Sequence, residues 1–249
     1  ANIAYETVKT ALSVGYRHVD TAMIYGNEEA VGKAIRDSGI PREEIFLTTK
    51  LWNDDQRSGK VEEAIEASLK RLGMDYVNLY LVHWPVKETY VSVWKKMEAV
   101  YKSGKAKAIG VSNYQTHHLA DLLEEAEIIP AVNQIECYPY LSQAATIQYC
   151  LERNIRPEAW GPLGAGKSDI LTNPVITEIA KKRGLTPAQV VLGWNLERGV
   201  IVIPKSIHKE RLTENLKCTD FELTDEDMTR ISALNKNLRL GADPDHFNF

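Results

Sequence analysis

Cysteine is scarce in this sequence: the 249 residues hold three, Cys137, Cys150 and Cys218. An odd number with no Cys-x-x-Cys spacing excludes a disulfide framework and a thiolate metal site, so buried structural thiols in a reducing compartment are expected, with no metal. No apolar run approaches the roughly 18 residues of a membrane-crossing helix. The N-terminus carries no charged-then-apolar export signal, so a cytoplasmic location without a membrane partner is expected. Charge of one sign is also missing. Lys and Arg number 30 against 34 Asp and Glu, a net charge of −4, which builds no field to gather a polyanion and excludes nucleic acid as a partner. Low-complexity and Ser/Gly/Pro-rich linker segments are absent, and no Gly-x-Gly-x-x-Gly follows a strand, which removes a Rossmann-type cofactor site.

What the chain does have is apolar substance, 44% hydrophobic residues against 26% charged, enough for a large core. Short β-branched or aromatic-rich runs alternate with stretches of helical period, the pattern of parallel strands joined by crossover helices. Strands are predicted at 16–25, 45–52, 77–84, 106–113, 131–136, 155–160 and 200–205. A helix is predicted at 5–14 and another at 61–72, where Val61, Ile65, Leu69 and Leu72 form one stripe and Glu62, Glu63, Glu66 and Lys70 the other. Asn173 before Pro174, Thr186 before Pro187, and Thr224 three residues before Asp227 read as helix starts. The expected fold is an α/β, (β/α)8 TIM barrel forming a single domain over 1–249. Seven strands fall one short of a closed barrel, whose missing stave would expose two long edges. An N-terminal hairpin and first strand, about 20 to 30 residues, are therefore expected to precede Ala1.

Each strand run ends in residues that apolar packing does not favour, and an α/β barrel builds its active site at the carboxyl ends of its strands. Asp20, Tyr25, Lys50 and His83 stand at the first three such ends. Tyrosine is a weak acid at neutral pH, but a neighbouring ammonium favours its phenolate, a role open to Lys50 held by Asp20. His83 can hydrogen-bond a substrate oxygen. Together the four suit protonation of a carbonyl oxygen while hydride reaches its carbon, and because no side chain supplies hydride a nicotinamide cofactor is required. Trp52 and Trp84, beside Lys50 and His83, make an apolar wall for a small carbonyl substrate. The segment 85–90 and the tail after Asn237 are both short, and short loops enclose less of a ligand and exclude fewer shapes, so an open mouth and broad specificity are expected.

The stretches Gly15-Tyr16-Arg17-His18-Val19-Asp20-Thr21-Ala22, Thr49-Lys50-Leu51-Trp52, Leu79-Tyr80-Leu81-Val82-His83-Trp84-Pro85, Ile109-Gly110-Val111-Ser112-Asn113, Asn133-Gln134-Ile135-Glu136 and Ile203-Pro204-Lys205-Ser206 come in the order and spacing of one family. Over nearly its whole length the chain resembles the aldo-keto reductase superfamily, in particular its small prokaryotic and protozoan NADPH-dependent members, 2,5-diketo-D-gluconate reductase-like and prostaglandin F synthase-like. The resemblance implies that Asp20, Tyr25, Lys50 and His83 are a catalytic tetrad with Tyr25 as general acid. It implies NADPH as cofactor, the carboxamide on Ser112, Asn113 and Gln134, and the nicotinamide stacked on Trp160. The pyrophosphate would then lie near Gly161 and Leu163, the 2′-phosphate on Lys205, Ser206 and Arg211, and the adenine near Glu214 and Asn215. A monomer reducing aldehydes and activated ketones is the expectation. Two positions depart from the family pattern: relatives often carry serine at the place of Gly161, and histidine at the place of Tyr138.

Other motifs permit other functions. Gly161-Pro162-Leu163-Gly164-Ala165-Gly166-Lys167-Ser168 matches a phosphate-binding loop formally, but the next helix signal comes only at Asn173, too late for a helix N-terminus to face phosphate. A Schiff-base aldolase could use Lys50 or Lys205, although Asp20 would oppose the depressed pKa this needs. A non-catalytic, reductase-like interaction subunit would not need an intact tetrad. His117 and His118, adjacent on a helix, point about 100° apart and are expected to be solvent-exposed, not a metal pair.

Overall fold

The computed structural model describes residues 2–249. The chain divides into two compact units, one running to Asn133 and including Asn248 and Phe249, the other spanning Gln134–Phe247. The first unit holds α1 (Asn2–Val14), β1 (His18–Asp20), α2 (Glu28–Asp37), β2 (Phe46–Leu51), α3 (Asn53–Ser58), α4 (Val61–Leu72), β3 (Val77–Val82), α5 (Val93–Lys102), β4 (Ala106–Ser112) and α6 (Thr116–Glu125). The chain passes into the second unit within β5 (Val132–Glu136). There follow α7 (Ala144–Leu151), β6 (Arg156–Trp160), α8 (Pro174–Arg183), α9 (Pro187–Glu197), β7 (Ile201–Val202), α10 (Lys209–Leu216) and α11 (Asp225–Ser232). No helix among the described residues is long and apolar enough to cross a membrane.

In the first unit β1 to β4 lie side by side in chain order, all parallel. The register pairs Asp20 with Thr48, Lys50 with Leu81 and Val82 with Val111, bringing their carboxyl ends to one edge. The near-continuous burial of β2 and β3 is that of parallel strands covered on both faces. Helix α4 has the predicted bounds, with Val61, Ile65, Leu69 and Leu72 buried. In the second unit β6 and β7 are parallel, and Trp194, Val190, Val191, Ile176 and Ile179 center its core. All three predicted helix starts carry their caps: Asn173 accepts from Val175 N, Thr186 from Gln189 N and Thr224 from Asp227 N.

Two expectations need correction. The first strand is short, because the chain turns at Ala22 into a 3-10 turn, Met23–Tyr25, closed by Gly26 at φ 63°; a left-handed residue there ends the turn at little cost only as glycine. His118 is buried, not solvent-exposed: its Nδ1 accepts the Gln115 backbone N–H at 3.0 Å and caps α6. As expected, the loop after β6 leads into two 3-10 turns, Gly164–Gly166 and Ile170–Thr172, and reaches a helix only at Pro174, so the phosphate-loop match lacks the structure that gives that motif its chemistry. The three cysteines are buried thiols outside any disulfide, as expected.

Candidate active site

Period-two alternation along β2 divides its side chains between two faces. Lys50 takes one and is fully buried, its Nζ ion-paired with the Asp20 carboxylate and donating to the Thr21 carbonyl at 3.0 Å. Thr49 takes the other, where its hydroxyl donates to Glu28 Oε1 at 2.6 Å while Arg71 Nε meets Glu28 Oε2 at 2.7 Å. One residue pair thus fixes the strand from both sides. Thr21 donates to Asn27 Oδ1 at 2.6 Å, bracing the segment that carries Tyr25 at both ends.

Tyr25 is 52% exposed, with Lys50 Nζ 5.3 Å from its ring center. Its ring lies 5.9 Å from that of His83, edge to face at 80°. His83 follows β3, its backbone N–H on the Leu51 carbonyl at 3.2 Å and its carbonyl accepting from Asn113 Nδ2 at 3.0 Å. Burial, and then the Lys50 charge, push its pKa down to about 3. The imidazole is therefore neutral at physiological pH, and its Nδ1 is buried without a partner. The tetrad expected from the sequence is gathered in one place.

Trp52 lies edge-on to His83 at 5.3 Å, and Trp84 is buried close by in the chain, its carbonyl accepting from Gln56 Nε2 at 3.0 Å. Here the expectation of an uncovered mouth fails. Phe249 stacks on Trp52, 5.9 Å between centers and 6° from parallel, and meets Trp84 edge-on at 5.2 Å. Its carbonyl accepts from Arg57 at 2.8 Å and Asn53 at 3.1 Å. Sequence reasoning missed Phe249, Arg57 and Asn53. The only signal was an aromatic pair, Phe247 and Phe249, in an otherwise polar tail with no periodicity to say where it docks.

Of the residues expected to hold a cofactor, Ser112 and Asn113 end β4 in the first unit, both buried, Asn113 in the left-handed region at φ 63°. The others lie in the second unit. Gln134 is buried and donates to Glu158 at 2.6 Å. Trp160 ends β6, half-buried, its carbonyl accepting from Cys137 N at 3.3 Å. Gly161 has φ 59° and space around it, and Leu163 packs partly into the core. Lys205 and Arg211 are exposed, and among the described residues neither has an acidic partner. Ser206 Oγ accepts from His208 N at 3.1 Å, Glu214 is half-buried and Asn215 buried. Two unpaired cations with a hydroxyl at the start of α10 fit a phosphate-bearing group.

The family model for aldo/keto reductases matches residues 1–236. The chain belongs to that family. Glyoxal reductase of Bacillus subtilis is 51% identical over 248 residues, covering 100% of this chain and 89% of that relative. Methylglyoxal reductase DkgA of Salmonella typhimurium is 46% identical over 242 residues, 96% of this chain and 87% of the relative. The crystal structure of MGS-M4, an aldo-keto reductase from a Medee basin deep-sea metagenome library, is 48% identical with a TM-score of 0.97, covering 100% of this chain and 92% of that one. The fold class is therefore the family's (β/α)8 barrel, and this reductase is an oxidoreductase acting on carbonyl compounds.

Proposed function

We propose that this reductase converts small aldehydes and activated ketones, 1,2-dicarbonyls among them, to alcohols with NADPH, Tyr25 serving as general acid. The observation that carries this is the Asp20–Lys50–Tyr25 arrangement with neutral His83 beside it. NADPH, when bound, supplies hydride to the carbonyl carbon. Tyr25 gives its hydroxyl proton to the carbonyl oxygen, which becomes the alcohol. The phenolate left behind is stabilised by the Lys50 ammonium, held in place by Asp20 and the Thr21 carbonyl. Half-exposed, Tyr25 can recover a proton from water. Because His83 is neutral, it can give one N–H to the substrate oxygen without adding a charge that would compete with Lys50.

Residues 1–249 then act as one reductase domain, monomeric and cytoplasmic, a location supported by three buried thiols outside any disulfide. The substrate class is supported by the names of the glyoxal and methylglyoxal reductases it resembles, and by the confinement that Phe249, Trp52 and Trp84 give. The pairing of Lys50 with Asp20 argues against a Schiff-base aldolase, since an ion-paired ammonium is a poor nucleophile. Choice of NADPH rests on Lys205, Ser206 and Arg211. Binding titrations of Arg211→Ala should weaken NADPH far more than NADH; equal losses would refute the 2′-phosphate role. A panel of glyoxal, methylglyoxal, aromatic aldehydes and ketosteroids, followed by loss of NADPH absorbance, tests the reaction itself: turnover of the steroids alone would overturn it.

A further inference from the structure

Glu136 ends β5 with only 1% of its surface exposed. Placing a carboxylate in such a position costs several kcal/mol in solvation unless hydrogen bonds replace the water. They are present, and all lead to one segment of the tail. Glu136 Oε1 accepts from Leu240 N at 2.7 Å and from Gly241 N at 3.2 Å, and Oε2 accepts from Gly241 N at 3.3 Å. The stretch that follows Glu136 holds the same segment further back: Tyr138 Oη donates to the Leu238 carbonyl at 2.9 Å, while the Tyr140 carbonyl accepts from Lys236 N at 3.0 Å and Leu238 N at 2.9 Å. Tyr138, which departs from the family pattern, therefore works as a mooring point for the tail.

The moored segment ends against an aromatic edge. A Cβ added to Gly241 would lie 2.5 Å from Trp160 Cη2, 3.4 Å from Cζ2 and 3.5 Å from Cζ3. Only glycine lets the backbone come so near, and that backbone forms a wall for the outer edge of the indole. The inner end of Trp160 is set by β6, through the hydrogen bond of its carbonyl to Cys137 N. Strand at one end and tail backbone at the other leave the ring little freedom to swing.

We infer that Glu136 and Gly241 are positioning residues for Trp160: the Glu136 carboxylate pins the tail so that the Gly241 backbone fixes the indole in the orientation that receives the nicotinamide. This rests on the proposal above that Trp160 is the nicotinamide-stacking residue. It assigns the buried acid a task in cofactor binding, and it makes the tail part of the cofactor site in the second unit, not only a cover for substrate. The carboxylate also faces the Arg239 guanidinium at 3.9 Å, but the direct grip on the tail is the pair of N–H groups, so Glu136→Gln, which keeps an accepting oxygen, should keep most of the function that Glu136→Ala loses.

The test combines the indole N–H signal of Trp160 in the NMR spectrum of the cofactor-free protein, assigned by its loss in Trp160→Phe, with NADPH dissociation constants. Glu136→Ala is expected to broaden or move that signal and to weaken NADPH roughly 3- to 10-fold, the range of one aromatic contact made less well, while kcat at saturating NADPH changes less. Glu136→Gln should restore both. Gly241→Ala, which leaves the carboxylate in place, should move the same signal and weaken NADPH similarly. In a Trp160→Ala background Glu136→Ala should add no further loss. An unmoved Trp160 signal in Glu136→Ala, with Trp160→Ala still weakening NADPH, would overturn the positioning role and leave the stacking role intact. NADPH affinity unchanged by Trp160→Ala would overturn both.

Discussion

Tyr25 and Lys50 differ in how much structure stands behind each. Lys50 is fully buried, ion-paired and hydrogen-bonded, whereas Tyr25 is half exposed on a turn of three residues. Removing the Tyr25 hydroxyl should therefore disturb little but the chemistry. Tyr25→Phe is expected to lose about 10²- to 10⁴-fold in turnover, the usual contribution of a general acid, while NADPH affinity and melting temperature stay near the wild-type values. Turnover within a few-fold of normal would rule Tyr25 out as the proton donor. Lys50 was legible in the sequence because it sits near the end of a buried strand, where a polar side chain is out of keeping with its neighbours, and Tyr25 because the first strand was expected to run on to it, although the chain leaves that strand at Asp20. Phe249 was not, since an aromatic residue in a polar tail carries no period and its partners, Trp52 and Trp84, lie far away along the chain. Glu136 stood in plain view within Asn133-Gln134-Ile135-Glu136, yet its task depends on where the tail returns, which local sequence does not encode.

Among the elements, α2 bears most directly on the site. Its first residue, Glu28, holds β2 through Thr49 and draws in Arg71 from α4, so one buried carboxylate ties two helices to the strand that carries Lys50. Glu28→Ala would leave Thr49 Oγ1 buried without an acceptor and Arg71 without its ion partner. A loss of about 1 to 3 kcal/mol in denaturant-measured stability is expected, with Glu28→Gln losing less; unchanged stability in Glu28→Ala would mean that the turn holds itself. Helix and strand identities were readable here from periodicity and caps, as with α4, α8 and α9. The 3-10 turn Met23–Tyr25 was not, because Met, Ile and Tyr suit a strand and only Gly26 marks the turn. The tail makes a second prediction at this scale. Phe249→Ala should raise KM for methylglyoxal several-fold and admit bulkier aromatic aldehydes, because the ring that narrows the space against Trp52 and Trp84 is gone; an unchanged ratio of the two specificities would show that Phe249 does not line the substrate space.

For the molecule as a whole, buried His83, half-buried His18 and the paired carboxylates work in the same direction as acid is added. Burial, then the Lys50 charge, take His83 down to about 3; burial also lowers His18, with Asp20 working in the opposite direction. In the unfolded chain both titrate near the ordinary value of 6.5, so below pH 6.5 the unfolded state binds protons that the folded state refuses, for His83 down to about 3. Stability is then full above pH 6.5 and is lost as the pH falls through that window, by about 1.4 kcal/mol per pH unit for one such group. Asp227 is opposed by burial but held low by Arg183 and Thr224, and Asp243 is held low by the Asp245 backbone N–H; both lose their contributions at the acid end of the same range. Glu136 acts in reverse. Its pKa is raised by burial against the pull of the Leu240 and Gly241 N–H groups, so its contribution falls as the pH rises through its folded value. Over pH 6.5 to 4 the two histidines, His83 above all, set the trend against Glu136, while Asp227 and Asp243 add to it only below the ordinary aspartate value of 3.8, and the melting temperature should drop steadily across that range. His83→Gln should flatten that slope while lowering turnover at every pH. A melting temperature independent of pH over this range, or the same slope in His83→Gln, would show that His83 is protonated in the folded state, and with it the neutral hydrogen-bond donor assigned to His83 would be lost.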